Sequence, residues 1–183
     1  MVRRVFSDQS SHDNVGVGLL LRFATLFLTL QVLYYLTPDA VLLHGIVHHL
    51  LAQPAAWLLA ISSDPGIVAD GNAIRTAAGS ALVIIRGCDG SSSMFLLLAG
   101  IFAFRASSWQ RIAGACIGLS LLHALNIARV VVLFLLLQRD AQLFETMHEY
   151  VAPVLTVFVA CAYYALWCSA ARRVGASPSA AVS

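Results

Sequence analysis

Gly87-Cys88-Asp89-Gly90-Ser91-Ser92-Ser93, with the apolar run from Met94 to Phe104 directly behind it, is the stretch around which the rest of the chain organises. It puts a thiol where a polar loop turns into a helix apolar enough for a membrane. The unpaired N–H groups at a helix start favour a thiolate. Arg86 adds to that field and Asp89 opposes it. A small residue at a tight turn is the competing reading of Cys88. The decision rests on whether other reactive side chains arrive at the same depth.

Composition sets the environment. Of 183 residues, 60% are hydrophobic and only 11% charged, and the mean hydropathy is +0.83. A soluble domain has about a quarter of its residues charged. Several runs approach the roughly 20 residues needed to cross a bilayer. The chain therefore reads as an integral membrane protein folded as one domain over residues 1–183. Its net charge of +2 gives no argument for a nucleic-acid partner, and every basic side chain is Arg. The four cysteines form no C-x-x-C pair, which speaks against a redox motif or a zinc ribbon. Cys116, Cys161 and Cys168 fall in apolar runs and are expected as small buried hydrophobes.

Taken in order, residues 1–14 are polar and carry Arg3 and Arg4; residues 15–36 form a first spanning helix, too long for a cleaved signal peptide. Pro38 and Asp39 close it. Residues 41–62 are two-faced, with His44, His48, His49 and Gln53 on one side of a helical wheel and Leu42, Leu43, Ile46, Leu50 and Leu51 on the other. That pattern suits a helix at the interface on the outer face. Residues 63–90 form an extracytoplasmic loop whose segments Ala73 to Thr76 and Ala81 to Ile85 are expected as a small strand pair. Further spanning helices are expected over 91–104, 112–137 and 151–171, with a disordered tail over 175–183. Gly114-x-x-x-Gly118 permits close helix approach. The expected fold is an all-α integral membrane helical bundle with about four spanning helices, an outer-face amphipathic helix and a small strand pair.

Charge orients the bundle. With residues 41–62 not spanning, Arg3, Arg4, Arg105, Arg111, Arg172 and Arg173 share one side, and Asp39, Asp64, Asp70, Asp89, Asp140, Glu145 and Glu149 take the other. Basic residues collect on the cytoplasmic side. The expectation is a multi-pass protein of the cytoplasmic (inner) membrane, embedded in its lipid bilayer, with Cys88 on the extracytoplasmic face. Helix rise then gives depth: Cys88 is about 26 Å from Arg105, Arg129 about 27 Å from Arg111 and His148 about 36 Å from Arg172. All three approach the far boundary of a core about 30 Å thick. Val130 to Leu137 is then left beyond that boundary, where tilt or an interfacial continuation must bury it.

Arg129 is the hardest of these residues to dismiss, because a charge well inside a membrane helix costs roughly 2.5–3.5 kcal/mol. Asn126 lies one turn before it and His123 another turn back, a polar stripe expected to face the bundle interior. His148, between Glu145 and Glu149, reads alone as a loop histidine and gains weight only from its depth. His44, His48 and His49 have no nearby carboxylate or cysteine to complete a metal set, so neither a metal nor a cofactor is expected. A thiol, an imidazole and a guanidinium meeting in a partly dry site suit acyl transfer: the thiolate attacks a carbonyl, an acid/base moves the proton, and a cation stabilises the oxyanion. The alternatives are a non-catalytic scaffold or transport subunit, with Arg129 and His123 in a structural stripe, and a thiol-redox membrane protein.

In these motifs the chain resembles the exosortase/archaeosortase family of membrane transpeptidases. Gly87-Cys88-Asp89-Gly90 is similar to the family's Cys motif, Leu125-Asn126-x-x-Arg129 to its N-x-x-R motif, and Met147-His148 to its His motif. Asp89 departs from the Ser, Thr or Asn that many members carry, and the chain resembles the compact variants. The resemblance implies substrates that are exported proteins bearing a C-terminal sorting signal with a transmembrane helix. It implies Cys88 as nucleophile forming a thioester, Arg129 as oxyanion stabiliser and His148 as general acid/base, with Asn126, Asp89 and His123 in support.

Overall fold

The computed structural model describes residues 2–175, with side chains described over residues 16–173. Helix α1 runs Val2–Leu36. Pro38 starts α2, Asp39–Ser62, whose middle, Leu42–Ala52, winds as a wider π-type helix. Three short strands follow: β1 (Val68–Asp70), β2 (Ala73–Arg75) and β3 (Ala81–Val83). Helix α3 is Ser91–Ala103 and α4 is Ser108–Leu137. The last helix, α5, runs Ala141–Thr146, passes through a π-type stretch Met147–Val151 and continues as Ala152–Gly175. The tail expected over 175–183 lies, apart from Gly175, outside the described residues.

This is a membrane helical bundle. Among the described residues four helices are long and apolar enough to cross a membrane: Gly16–Leu36, Asp39–Ser62, Ser108–Leu137 and Ala141–Arg173. Helix α3 sits at the centre, against α1, α4 and α5. At 13 residues it rises about 20 Å, less than the hydrocarbon core. The depth of Cys88 is reduced accordingly, because residues 88–90 and 104–105 are not helical.

Glycine brings α4 and α5 together. The faces of Gly114 and Gly118 lie directly under Trp167 and Tyr163, where a Cβ would collide with both rings. The Tyr163 hydroxyl donates to Gly114 O at 2.7 Å and the Trp167 indole N–H to Gln110 O at 3.3 Å. The small-residue spacing thus serves ring-to-backbone packing, the form close approach takes where lipid supplies no hydrophobic drive.

The layer formed by the strands is larger than the expected pair. β1-β2-β3 form an antiparallel sheet, with Asp70 opposite Ala73 across the two-residue turn Gly71-Asn72, and Ala73 opposite Val83. Gly71 takes φ 57°, as such a tight hairpin turn requires. β1 was not expected because Val68-Ala69-Asp70 is too short beside Pro65-Gly66 to show a period. The sheet lies along α2: His48 Nδ1 is 2.7 Å from Gly71 O, and His44 packs beneath Gly71. Tyr34, Val47, Leu51, Ala55, Leu59, Ile67, Ile74, Ile84, Val130 and Phe134 form one buried cluster. That cluster is what covers the far end of α4: Val130 and Phe134 are buried against α2 and the sheet layer rather than by tilt alone, while Leu133 is buried on the α5 side.

Three expectations change. Ser107 to Arg111 was expected as loop, but α4 already starts at Ser108. Ser107 caps it, accepting the Gln110 N–H, while Gln110 Oε1 accepts the Ser107 N–H at 3.0 Å. That is a capping box, legible in S-x-x-Q. Residues 141–150 are helical rather than loop, with only Gln138 to Asp140 turning and Asp140 Oδ1 accepting the Leu143 N–H at 3.0 Å. Of the three cysteines expected to be buried, only Cys168 is; Cys116 and Cys161 are exposed on the outer surface of the bundle, where apolar side chains meet lipid instead of core.

Candidate active site

The loop Arg86–Gly90 is held from three directions. Arg86 reaches back to the end of α1, pairing with Asp39 at 2.7 Å and donating to Tyr34 O at 2.7 Å and to Thr37 O. Its guanidinium also lies 5.5 Å from the Tyr34 ring centroid. These partners occupy it as a clamp, so it does not serve as the thiolate's cation, as its sequence position had suggested. The Tyr34 hydroxyl, itself buried, accepts the Gly87 N–H at 3.1 Å. The Cys88 N–H donates to Ile85 O at 3.1 Å and closes the turn.

The third hold comes from α4. Asn126, 1% exposed, donates from Nδ2 to Asp89 O. Gly90, φ 80°, is the N-cap of α3. A Cβ there would lie 2.7 Å from the Asn126 amide, so the position needs glycine for space as well as for conformation. The Asp89 carboxylate turns to Ser91, accepting its hydroxyl at 2.9 Å and its backbone N–H at 3.4 Å. This is a turn of the Asx type leading into α3, not the helix cap, which is Gly90 with no side-chain hydrogen bond.

Cys88 is met by the helix that enters from the other side of the bundle. His148, in the π-type stretch of α5, places Nε2 3.6 Å from Cys88 Sγ across 60 residues of sequence. Its ring stacks on Phe144, one turn earlier, with planes 4° apart and centroids 5.5 Å apart. His148 Nδ1 is buried and has no hydrogen-bond partner, so stacking rather than a third polar group sets the ring. A π-type turn is a frequent way to aim such a side chain at a functional site.

Arg129 stands one turn beyond Asn126 on α4. It is half-buried, lies within electrostatic reach of Cys88 and Asp89, and has a buried Nε without a partner. It lines a cavity of about 180 Å³ between α4 and α5, with Met147, Val151, Leu155 and Thr156. A second cavity of about 350 Å³ opens on the α1 and α2 side, where Tyr34, Asp89, Ser91, His123 and Asn126 contribute its polar lining. His123 thus faces this second cavity and not the thiol. The structure therefore brings Cys88, His148, Arg129, Asn126 and Asp89 together. Reasoning from sequence overlooked Tyr34 and Phe144. The Phe144–His148 spacing of four on a helix was the one available signal.

A thiol against an imidazole, a nearby cation with an unused N–H, and two flanking cavities can carry out nucleophilic acyl transfer. His44, His48 and His49 are turned to the sheet and to Gln53, and no group of three His, Cys, Asp or Glu side chains among the described residues is arranged to hold a metal.

No curated protein and no solved structure gives a match to the chain. The family model for a transmembrane exosortase matches residues 15–167, a span that takes in every element from α1 to most of α5 and all of the site just described. By this match the chain belongs to the transmembrane exosortase family.

Proposed function

We propose that the protein is a cysteine transpeptidase that cleaves the C-terminal sorting signal of exported proteins. The observation that carries this reading is the 3.6 Å approach of His148 Nε2 to Cys88 Sγ. Cys88 transfers its proton to His148 and attacks the backbone carbonyl of the signal. The resulting oxyanion faces Arg129. His148 then protonates the leaving amine, and a thioester joins Cys88 to the exported protein. An acceptor nucleophile gives up its proton to His148, attacks the thioester and releases the product. Asn126, Asp89, Gly90, Tyr34 and Arg86 act through the loop and hold Cys88 in place; His123 contributes to the wall of the adjoining cavity.

The charge distribution supports a site on the extracytoplasmic face of the inner membrane. Arg105, Arg111 and Arg172 gather at the end of the bundle opposite Cys88, and that end is cytoplasmic by the positive-inside rule. On this reading α2, flanked by the sheet along its length, lies at the outer interface.

The test is co-expression with a reporter fused to a candidate sorting signal: motif, apolar helix and basic tail. Wild-type protein yields a shortened reporter and a thioester that hydroxylamine releases. Cys88→Ala accumulates to the same level and yields neither. Processing by Cys88→Ala at the normal rate would end the proposal.

A further inference from the structure

At the end of the bundle remote from Cys88, the turn between α3 and α4 and the last turns of α5 border an open pocket of about 420 Å³, lined by Phe104, Arg105, Ser107, Gln110, Arg111 and Arg172. The wall is fixed in place. Ser107 and Gln110 are engaged in the capping box, and Gln110 Nε2 bridges to Ala171 O at 3.4 Å. The Arg172 guanidinium lies 5.5 Å from the Phe104 ring centroid. The Arg111 Nε–H is buried with no partner.

Among the described residues no carboxylate pairs with these arginines. The ion pairs among the described residues are Arg75–Asp70 and Arg86–Asp39, both at the Cys88 end. A buried N–H on a guanidinium without a partner is costly, on the order of 1–3 kcal/mol or more, and three arginines around one pocket suit an oxyanion with several acceptor oxygens. An apolar groove of about 310 Å³ adjoins it, lined by Leu19, Leu20, Phe23, Leu97, Gly100 and Tyr164. Ala103 lines the groove and Phe104 the pocket; between them Trp167 stacks on Tyr164 and meets Phe104 edge-on at 5.6 Å. A basic pocket beside an apolar groove, at the level where Trp and Arg mark a membrane surface, is the complement of an anionic lipid.

We infer that this pocket binds the phosphate of an anionic phospholipid from the leaflet that the Arg-rich end faces, with an acyl chain in the adjoining groove. The positive-inside rule accounts for arginines at this end but not for a pocket built around a buried, unpartnered guanidinium N–H. The inference does not depend on the chemistry at Cys88.

The experiment uses the full-length protein in an uncharged detergent, titrated with phosphatidylglycerol or with phosphatidylcholine of the same chains. Bound lipid is read by native mass spectrometry and the unfolding midpoint by heating. One phosphatidylglycerol is retained and raises the midpoint; phosphatidylcholine does neither. Arg111→Gln and Arg105→Gln, the second on an exposed turn where folding is not at risk, each weaken phosphatidylglycerol binding by about fivefold or more. Arg173→Gln, equal in charge but outside the pocket, changes it less than about twofold. Equal losses in Arg173→Gln and Arg111→Gln would mean diffuse charge and overturn the site. Equal binding of the two lipids would do the same. Displacement of the lipid by glycerol 3-phosphate at equal concentration would assign the pocket to a free phosphate and overturn the lipid.

Discussion

The side chain of Asn126 occupies the space into which any Cβ on Gly90 would project, and the same amide holds Asp89 O. The thiol loop and the arginine helix are thereby one unit. Gly90→Ala suffers the left-handed conformation, about 1–2 kcal/mol, together with a collision. Asn126→Ala leaves a buried carbonyl unpaired, about 1–3 kcal/mol. Because removing the amide also removes the collision, the double variant loses less stability than the sum of the two. Denaturation midpoints of the four proteins measure that coupling, and strict additivity would show the contact to be unimportant.

In the proposed mechanism Arg129 and His148 separate by role, and the expected rate losses rest on it. Arg129→Ala removes a cation facing the oxyanion and is expected to slow acylation about 10²–10³-fold, some 2.7–4 kcal/mol of barrier. Arg129→Lys recovers part of this, since it keeps charge and loses the planar fork. His148→Gln loses about 10²–10⁴-fold. Single-turnover formation of the Cys88 thioester reads both.

Phe144 sets the ring of His148 by stacking, with Nδ1 left free of any polar partner. Phe144→Leu keeps bulk and removes the parallel face. The expected result is a rate loss of about three- to tenfold, from about 0.5–1.5 kcal/mol, with unchanged protein level. Phe144→Tyr retains activity. Equal activity of the Leu variant would show that the backbone alone aims the imidazole.

Tyr34 and Arg86 tie the loop to α1. Tyr34→Phe deletes one acceptor for the Gly87 N–H and costs about 0.5–1.5 kcal/mol. Arg86→Gln frees Asp39 and the α1 carbonyls together, and alkylation of Cys88 by a water-soluble maleimide becomes faster as the loop loosens. A maleimide rate identical to wild type in Arg86→Gln would remove the clamp from the account.

Much of this was legible in the sequence, because membrane helices announce themselves by length and because a rise per residue converts spacing into depth. Cys88 and His148 meet and Arg129 lies within electrostatic reach of the thiol, but helix rise alone overstated the depth of Cys88, since residues 88–90 and 104–105 are not helical. What sequence did not carry was orientation within an element. Arg86 is two residues from Cys88 and was expected to act on the thiol, yet it turns to Asp39, 47 residues away. His123 shares the helix face of Asn126, as spacing implied, but that face lines the cavity on the α1 and α2 side and does not bring His123 to the thiol. The apolar stretch beyond Arg129, a difficulty in a four-helix reading, is resolved by a layer formed from α2 and the sheet, whose first strand was too short to show a period.

Helix α3 has one more consequence. Its 13 residues span about 20 Å where an average bilayer offers about 30 Å of hydrocarbon. Surrounded by α1, α4 and α5, which are long enough to cross, α3 need not thin the lipid; its short length instead leaves the thiol loop within the depth of the bundle rather than above it. On the proposed function, bilayer thickness is then a variable of the reaction: in vesicles of increasing acyl length, the thiol at the top of α3 is expected to lie farther beneath the surface from which an acceptor would come.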